Sequence, residues 1–283
     1  MLSQCILFFK PFWIAQPTSK RIMVRYAVFI ILFIFGHSEG AGWSYVGEHG
    51  PAHWASSFQH CGGSSQSPIN IPGASSLVYD EGLSQFTLNG FGTSSSSTYQ
   101  LKNNGHSVQL TIGGNVNLHI VNYNSKYPGL AVAADKSDGL AVLGFWFRIS
   151  ETDNPNYNTL LSQFDNVMFK DKMANVSGIN LQNLLPSDLS HYYRYQGSLT
   201  TPPCFESVTW TLFNSMIPIS ERQMQKFRSL SELTMPDQHS LLVNNYRPLQ
   251  ALNSRKVYTS SPSQRLFSSS VQYGFNRTSS SNN

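Results

Sequence analysis

Charged residues are scarce in this chain of 283 residues: Asp, Glu, Lys and Arg together make up 12%, and the formal net charge is only +4. The Lys and Arg residues are scattered, which excludes the basic stripe of a nucleic-acid-binding protein. Ser, Asn, Gly and aromatic residues are plentiful instead. This composition is typical of an exported, β-rich protein with many turns rather than a helical protein of the cytosol.

Long apolar runs are also lacking, apart from one short stretch near the N-terminus. Residues 23–40 carry a basic residue, then an apolar run over 27–35, then small residues. This order predicts a secretory signal peptide cleaved between Ser38 and Gly42. The run is short for a transmembrane span, so an uncleaved signal anchor is the less favoured alternative. Residues 1–22 form an upstream extension of doubtful relevance.

The C-terminal tail, residues 263–283, is polar and rich in Ser and Asn. A lipid anchor added at the C-terminus needs an apolar tail, so this kind of attachment is excluded. We therefore expect a secreted protein with no membrane anchor after signal cleavage. Sequons at Asn175 (NVS) and Asn276 (NRT) predict glycosylation of such a protein.

Cysteine is rare, with three residues in the whole chain. Cys5 falls in the segment predicted to be removed, which leaves Cys61 and Cys204. Two cysteines in an exported chain most simply form one disulfide, here closing a very long loop. Two free thiols are the alternative that the residues alone leave open.

Residues 42–262 are interpreted as one mainly-β domain, because short apolar or alternating runs follow one another between turn residues. The run over 140–149 is almost continuously apolar, as expected for a strand buried on both faces. The best helical pattern begins at Ser220, a typical N-cap residue. The predicted strands are 86–88, 107–112, 116–122, 141–149, 207–213 and 256–258, and the predicted helices are 157–163 and 220–229.

The stretch 115–127 (NVNLHIVNYNSKY) contains a histidine of particular interest. Apolar residues alternate with others in the period-two pattern of a half-buried strand, so His119 projects from the same face as Val121. A lone strand histidine is usually structural and hydrogen-bonded to the backbone. A metal-ligand role for His119 therefore needs support from elsewhere in the chain.

Eight segments that span nearly all of the chain after the signal supply that support. They are WSYVGEHGPAHW (43–54), SQSPINI (65–71), NNGHSVQL (103–110), NLHIVNYNSKY (117–127), DGLAVLGFW (138–146), YQGSLTTPPC (195–204), VTWTLF (208–213) and NNYRPLQALNSR (244–255). In this order they resemble the α-class carbonic anhydrases. The resemblance implies a single large twisted, mostly antiparallel sheet with short peripheral helices. It also implies a disulfide between Cys61 and Cys204, at the positions found in exported members.

The activity that the resemblance implies is a lyase reaction, the zinc-dependent reversible hydration of CO2 to bicarbonate and a proton. In that family three imidazoles hold Zn²⁺, and a water in the fourth position has its pKa lowered to about 7. Two of the ligands form an HxH pair, since residues two apart on a strand share a face. The third lies on the neighbouring strand, at the position of His119.

The same resemblance assigns roles to further residues. His106 matches the proton shuttle, a role suited to a side chain that titrates near neutrality. Thr200 matches the residue that accepts a hydrogen bond from the zinc-bound hydroxide. Other positions match the pocket for CO2 and bicarbonate, with core or loop packing as the alternative for each: Thr201, Val121, Val142, Leu199, Val208, Trp210, Tyr45, Asn104 and Gln66.

Two of the three zinc ligands have no counterpart here, since no two of the eight histidines are spaced i, i+2. His106 stands only 13 positions before His119, whereas the family has roughly forty more residues there, enough for about three strands. The absent block would carry the HxH pair, a buried Glu that orients the active-site Thr, and a zinc-supporting Gln. Asn117 also replaces a Glu that usually supports the third ligand, which weakens the site further.

We therefore expect that this chain does not bind catalytic zinc, because one imidazole cannot hold the ion at useful affinity. The chain would be an inactive or truncated form of a secreted carbonic anhydrase, with about three strands missing from the sheet. One alternative is a carbonic anhydrase-related, non-catalytic secreted protein that binds an unknown protein partner. Another is a chain that does not fold stably. An HxH-bearing segment at the same locus would distinguish the first interpretation from the second.

Overall fold

The computed structural model describes residues 42–83, 86, 88, 98–112, 116–117, 121–235 and 240–262. It also describes the backbone of two N-terminal strands, β1 (Leu7–Phe9) and β2 (Arg25–Val28). The architecture is mainly β, with a large mixed sheet and short helices, which confirms the predicted fold class. None of the helices in the described part of the chain is long and apolar enough to cross a membrane.

Ten further strands and four α-helices follow within the described residues. The strands are β3 (Leu77–Tyr79), β4 (Thr98–Asn103), β5 (Val108–Ile112), β6 (Val116–Asn117), β7 (Val121–Tyr123), β8 (Leu140–Ser150), β9 (Met173–Ser177), β10 (Tyr192–Gly197), β11 (Val208–Ser220) and β12 (Val257–Thr259). The helices are α1 (Trp54–Ser57), α2 (Leu130–Ala133), α3 (Pro155–Leu161) and α4 (Glu221–Arg228). Short 3-10 helices lie at Gly47–His49, Gln59–Gly62, Ala74–Ser76, Phe164–Val167 and Leu181–Leu184.

The strands are arranged in two sheets. The larger has the order β2-β8-β11-β10-β12-β3, with β7 beside β8, and the smaller has the order β1-β5-β4-β9, with β6 beside β5. The larger sheet is mixed, since β8 and β11 run parallel whereas β10 and β11 run antiparallel. β11 lies inside the larger sheet, between its parallel neighbour β8 and its antiparallel neighbour β10.

The strand predicted over 116–122 is divided between these two sheets. β6 pairs with β5 in the smaller sheet, and β7 pairs with β8 in the larger one. Only residues 113–115 connect β5 to β6, and a connection this short joins neighbouring antiparallel strands. The sequence predicted one continuous sheet. The structure has two sheets instead, because β6 and β7 pair with different neighbours. In a single sheet these two segments would form one joining strand.

Most other predicted strands are confirmed with shifted ends. The ranges 107–112, 141–149, 207–213 and 256–258 correspond to β5, β8, β11 and β12. β11 continues to Ser220 because its second half pairs with β8 again after a register shift between Leu212 and Met216. The sequence did not predict β3, β4, β9 and β10, which have weaker apolar patterns.

The predicted strand over 86–88 is not formed at its two described residues, Phe86 and Leu88. Phe86 instead packs edge-on against Tyr192 and Phe213, with ring centroids 5.9 and 5.3 Å apart. The apolar side chain of Phe86 therefore packs on the core around Tyr192 and Phe213 without belonging to a strand. In that core the rings of Phe145 on β8 and Phe213 on β11 are stacked, with centroids 4.8 Å apart.

Helix α4 begins at a capping box, as the prediction of an N-cap at Ser220 anticipated. Ser220 Oγ accepts a hydrogen bond from the Gln223 backbone N–H at 3.0 Å, and Gln223 Oε1 accepts one from the Ser220 backbone N–H at 3.3 Å. Met224 and Phe227 are buried on one face of the helix. The other predicted helix, over 157–163, is displaced to α3, which begins with Pro155 after the N-cap Asn154.

Replacing Ser220 by Ala is expected to lower the free energy of unfolding by about 1–2 kcal/mol, because the cap bond is lost. The hydroxyl also donates to Asp153, which adds to the loss. Urea unfolding monitored by circular dichroism measures this change. Ser229→Ala is the matched control, since its hydroxyl donates only to the Lys226 carbonyl in the last turn of the same helix, and a change of under ~0.5 kcal/mol is expected. Equal losses in both variants would contradict the capping assignment.

Candidate active site

The loop between β10 and β11 carries Thr200 and Thr201, and the disulfide anchors its far end. Cys204 is bonded to Cys61 with an Sγ–Sγ distance of 2.03 Å, which confirms the predicted bridge. The Cys204 N–H also donates to the Thr201 carbonyl at 2.9 Å, which closes a turn around the two prolines. Thr200 is therefore held on a constrained loop.

Both threonine side chains of this loop are buried, with 1% of Thr200 and none of Thr201 exposed. Neither Oγ1 atom has a hydrogen-bond partner among the described residues. Burying a hydroxyl without a partner costs about 1–3 kcal/mol, so such groups are rare in folded proteins. Thr200 and Thr201 thus each bury a hydroxyl group for which the described residues supply no hydrogen-bond partner.

A reciprocal pair of serines fixes the backbone just before Thr200. The Ser67 N–H donates to Ser198 Oγ at 2.9 Å, and the Ser198 N–H donates to Ser67 Oγ at 3.0 Å. Trp210 Nε1 adds a third bond, donating to the Ser198 carbonyl at 3.0 Å. Sequence reasoning did not single out these serines, because nothing in their spacing indicates that residues 131 positions apart meet.

His106 lies in a tight turn between β4 and β5 that Asn104 organises. Asn104 Oδ1 accepts hydrogen bonds from the His106 and Ser107 backbone N–H groups, at 2.9 and 2.7 Å. Gly105 between them has φ +81°, a conformation that favours glycine. Asn104 thus has a structural role, since its side chain fixes the backbone of His106. Its predicted role in the pocket stays a prediction.

The ring of His106 is half-buried among aromatic residues from the N-terminal loop. It stacks on Trp43, with centroids 4.1 Å apart and planes 20° apart, and it lies 6.3 Å from the ring of Tyr45. The His106 carbonyl accepts a hydrogen bond from Asn245 Nδ2 at 2.9 Å. The structure thus brings together two predicted site residues, His106 and Tyr45. Trp43 and Asn245 were missed, because only the tertiary fold places them beside the turn.

Gln66 is 3% exposed and belongs to a buried polar network. Its Nε2 donates to Glu206 Oε1 at 2.9 Å, and its Oε1 accepts from Arg247 Nη1 at 2.6 Å. The guanidinium of Arg247 also donates to the carbonyls of Ser67 and Cys61, at 3.1 and 2.7 Å. Burial lowers the pKa of Arg247 to about 10. The Gln66 amide is therefore engaged in holding the disulfide region together.

Replacing Arg247 by Met is expected to lower the free energy of unfolding by about 3 kcal/mol, because it leaves Gln66 Oε1 and two backbone carbonyls buried without this donor. Guanidinium chloride unfolding followed by tryptophan fluorescence measures the loss. The control is Arg222→Met, which removes an exposed guanidinium paired with Asp153, and should cost under ~1 kcal/mol. If the two variants lose equal stability, the buried network is not what stabilises this region.

The predicted apolar wall comes together in one buried cluster. Val142, Leu199, Val208 and Trp210 are all 5% exposed or less and belong to the same core. The backbone of Val121 on β7 pairs with Val142 on β8. His119 lies outside the described residues.

The described residues contain no group of three or more His, Cys, Asp or Glu side chains that could hold a metal ion. His191 Nδ1 lies 2.8 Å from Ser190 Oγ, and the His60 ring packs edge-on against Phe205 at 4.9 Å. The part of the chain that the structure describes thus does not fit a three-imidazole zinc site.

Comparison with known proteins places this architecture in a family. A family model of the eukaryotic-type carbonic anhydrase matches residues 49–117 and 113–261. The chain belongs to the carbonic anhydrases. The family implies zinc as cofactor and CO2 and bicarbonate as substrates.

Several curated carbonic anhydrases resemble the chain over most of its length. Carbonic anhydrase 7 of Homo sapiens is 36% identical over 262 residues, which cover 77% of this chain and 97% of that protein. Carbonic anhydrase 12 of Homo sapiens is 35% identical over 262 residues, covering 78% of this chain and 73% of that protein. Carbonic anhydrase 6 of Homo sapiens is 30% identical over 264 residues, covering 78% and 84%.

Each alignment is longer than the number of residues of this chain that take part in it. With carbonic anhydrase 12 the alignment extends over 262 residues, whereas 78% of 283 residues is about 221. About 40 aligned positions therefore have no residue in this chain (262 less about 221). The two matches to the family model overlap at residues 113–117, which comprise the connection from β5 to β6 and β6 itself.

The two predicted glycosylation sites differ in what the structure describes. Asn175 is exposed on β9, opposite Gln100 of β4. The third residue of its sequon is Ser177, whose Oγ lies 3.3 Å from Thr98 Oγ1. Asn276 lies outside the described residues. Glycosylation at both positions stays a prediction.

Proposed function

We propose that this chain is an exported carbonic anhydrase that lacks one internal segment, and that in this form it neither binds catalytic zinc nor hydrates CO2. The observation that carries the proposal is the division of the family match at residues 113–117. It coincides with the connection where the sequence lacks the HxH motif. The about 40 alignment positions without a residue in this chain match the length of the expected segment.

The chemistry of zinc supports the loss of the cofactor. A catalytic zinc site needs three protein ligands in tetrahedral arrangement with one open position. This chain retains His119 at a ligand position, and the histidine pair that would complete the set is absent from its sequence. Because the ion is held by geometry as well as by donor type, a single imidazole leaves the site far too weak.

The retained pocket favours loss of a segment over a binding protein that gave up catalysis by substitution. His106, Thr200 and the apolar wall residues are all kept, whereas such a binding protein would be expected to lose them one by one. The two buried threonine hydroxyls support the same interpretation, since the partner expected for Thr200 is a Glu of the missing block. We propose the roles of His106 as proton shuttle and Thr200 as hydroxide acceptor for the complete enzyme only.

Export to an oxidising compartment is part of the proposal. The predicted signal peptide, the disulfide between Cys61 and Cys204 and the exposed sequon at Asn175 support it, because disulfides persist mainly in exported proteins. The product would be a secreted protein. In the complete form its substrates would be CO2 and bicarbonate.

Two measurements test this proposal. Sequencing the transcript across the codons for residues 108–121 is expected to reveal a longer form with about forty extra codons and an HxH pair. The purified short chain is expected to contain far less than one zinc per chain by mass spectrometry and to show no CO2 hydration above buffer. A stoichiometric zinc content, or hydration that a zinc chelator abolishes, would show that the short chain is itself the enzyme.

Thr200→Val tests the state of the pocket by stability. Because Thr200 Oγ1 has no hydrogen-bond partner among the described residues, replacing the hydroxyl by a methyl is expected to leave the free energy of unfolding unchanged or to raise it by up to ~1 kcal/mol. The control is Thr211→Val, since Thr211 Oγ1 is buried and accepts from Arg194 Nε at 3.2 Å; this variant should lose about 1 kcal/mol. A larger loss for Thr200→Val than for Thr211→Val, in urea unfolding, would mean that the hydroxyl has a partner in this chain.

A further inference from the structure

The two edges of β8 are paired very differently. Along one edge β8 pairs in parallel with β11, from Leu140 to Ser150 with one register shift. Along the other edge β7 pairs only with residues 140–142. The next paired stretch, residues 145–148, is covered by β2, the strand Arg25–Val28, in antiparallel register.

The same arrangement recurs on β5. β6 pairs with residues 111–112 of β5. The preceding residues of β5, 108–110, pair with β1, the strand Leu7–Phe9. Both added strands come from the chain before residue 42, and they pair with β5, which precedes the connection over 113–115, and with β8, the neighbour of β7. An edge strand presents a row of backbone N–H and C=O groups that readily pair with another extended segment. The edges of β5 and β8 that β6 and β7 pair with only in part are thus extended by segments from outside the domain.

We propose that the outer edge of β8 at residues 145–148 is a strand-acceptor site, and that Arg25–Val28 of the same chain is its occupant. Recognition is by main-chain hydrogen bonds, the mode in which an extended peptide adds a strand to a sheet. The acceptor stretch (FWFR) contains no proline, so each of its residues keeps the N–H that such pairing needs.

This site has a consequence for processing. Arg25–Val28 lies inside the predicted signal peptide, so cleavage between Ser38 and Gly42 removes the occupant and opens the edge of β8. The strand would then complete the sheet only while the signal is attached. Pairing at this edge does not depend on zinc, so its test and the test of catalytic loss give separate answers.

Hydrogen–deuterium exchange on the full chain, with the signal retained by cytosolic expression, tests the site. Two proline variants are compared, Tyr26→Pro and Ala27→Pro. Because the N–H groups of successive residues in a strand point in opposite directions, only one of these two residues donates to β8. One variant is expected to raise amide exchange in residues 145–148 at least tenfold, while the other has a smaller effect and serves as its control. Exchange in β10 should stay unchanged in both.

A synthetic peptide of residues 21–29 (RIMVRYAVF), added in excess to the disrupted variant, is expected to restore protection of residues 145–148. The same peptide with Ala27 and Tyr26 both replaced by Pro should not restore it. Three outcomes would overturn the proposal. They are unchanged exchange in both variants, equal loss of protection across β10 and β8, or a local loss that the peptide does not reverse.

Discussion

Inserting the roughly 40 aligned residues that carbonic anhydrase 7 has and this chain lacks, between Gly114 and Asn115, is expected to create a zinc enzyme. By the resemblance to the α-class family, we expect the insert to supply the HxH pair that His119 needs to complete three ligands. We also expect it to supply a carboxylate for Thr200, whose hydroxyl has no partner among the described residues. We expect one zinc per chain and a rise of at least ~10³ in the rate of CO2 hydration, since zinc-bound hydroxide reaches turnover near 10⁶ s⁻¹ in this chemistry.

The matched control carries the same insert with both histidines of the HxH pair replaced by Ala. It keeps the added strands but lacks two ligands, so it should fold like the active chimera and bind no zinc. Stopped-flow hydration assays and metal analysis compare the two with the unmodified chain. Equal zinc content in all three proteins would refute the assignment of the missing ligands. A folded chimera without zinc would show that the connection over 113–115 is not where the segment belongs.

Removing the disulfide by Cys61→Ala with Cys204→Ala is expected to lower the free energy of unfolding by about 3–5 kcal/mol. The bond links residues 143 positions apart, and in the chain-entropy description a loop this long restricts the unfolded chain strongly. Locally, Cys61 and Cys204 pack with Trp54 in a small buried cluster, so the region beside Trp43 and the Thr200 loop should loosen first. Urea unfolding followed by tryptophan fluorescence measures the shift of the midpoint.

In the chain expressed with its N-terminal segment retained, Cys5→Ala is the control, because it removes the third cysteine without touching the bridge. Its midpoint should match that of the unmodified chain in oxidising buffer. Reduction by dithiothreitol should bring the unmodified chain to the midpoint of the double variant. A double variant as stable as the control would mean that packing, rather than the cross-link, holds the Thr200 loop.

The sequence predicted well the elements whose stabilising interactions are local or repeated. β8 was predicted from a continuous apolar run, which is what a strand with neighbours on both faces requires. Helix α4 was predicted from Ser220 and the apolar spacing that follows it, because a cap acts within one turn. β3, β4, β9 and β10 were not predicted. β3 pairs with β12 and β9 with β4, strands that are distant in sequence, whereas β4 and β10 pair with the strands that follow them, β5 and β11.

For the candidate site, the family resemblance named the residues and the tertiary fold decided their surroundings. The sequence alone showed that the HxH pair is absent and left two cysteines to pair. It did not show that Trp43 stacks on His106, that Ser67 and Ser198 exchange hydrogen bonds, or that Arg247 lies at the centre of a buried network. These contacts join residues from distant parts of the chain, and such contacts leave no periodic pattern in the sequence.

The sequence by itself determined that the chain contains no HxH pair, the motif that the family resemblance assigns to two zinc ligands. How the chain accommodates the short connection was decided only by the tertiary structure. β5 and β8 present backbone hydrogen-bonding groups along both edges, and each neighbouring strand satisfies only the stretch with which it pairs. β6 therefore pairs with β5 and β7 with β8, while Leu7–Phe9 and Arg25–Val28 pair with the stretches of β5 and β8 beyond them.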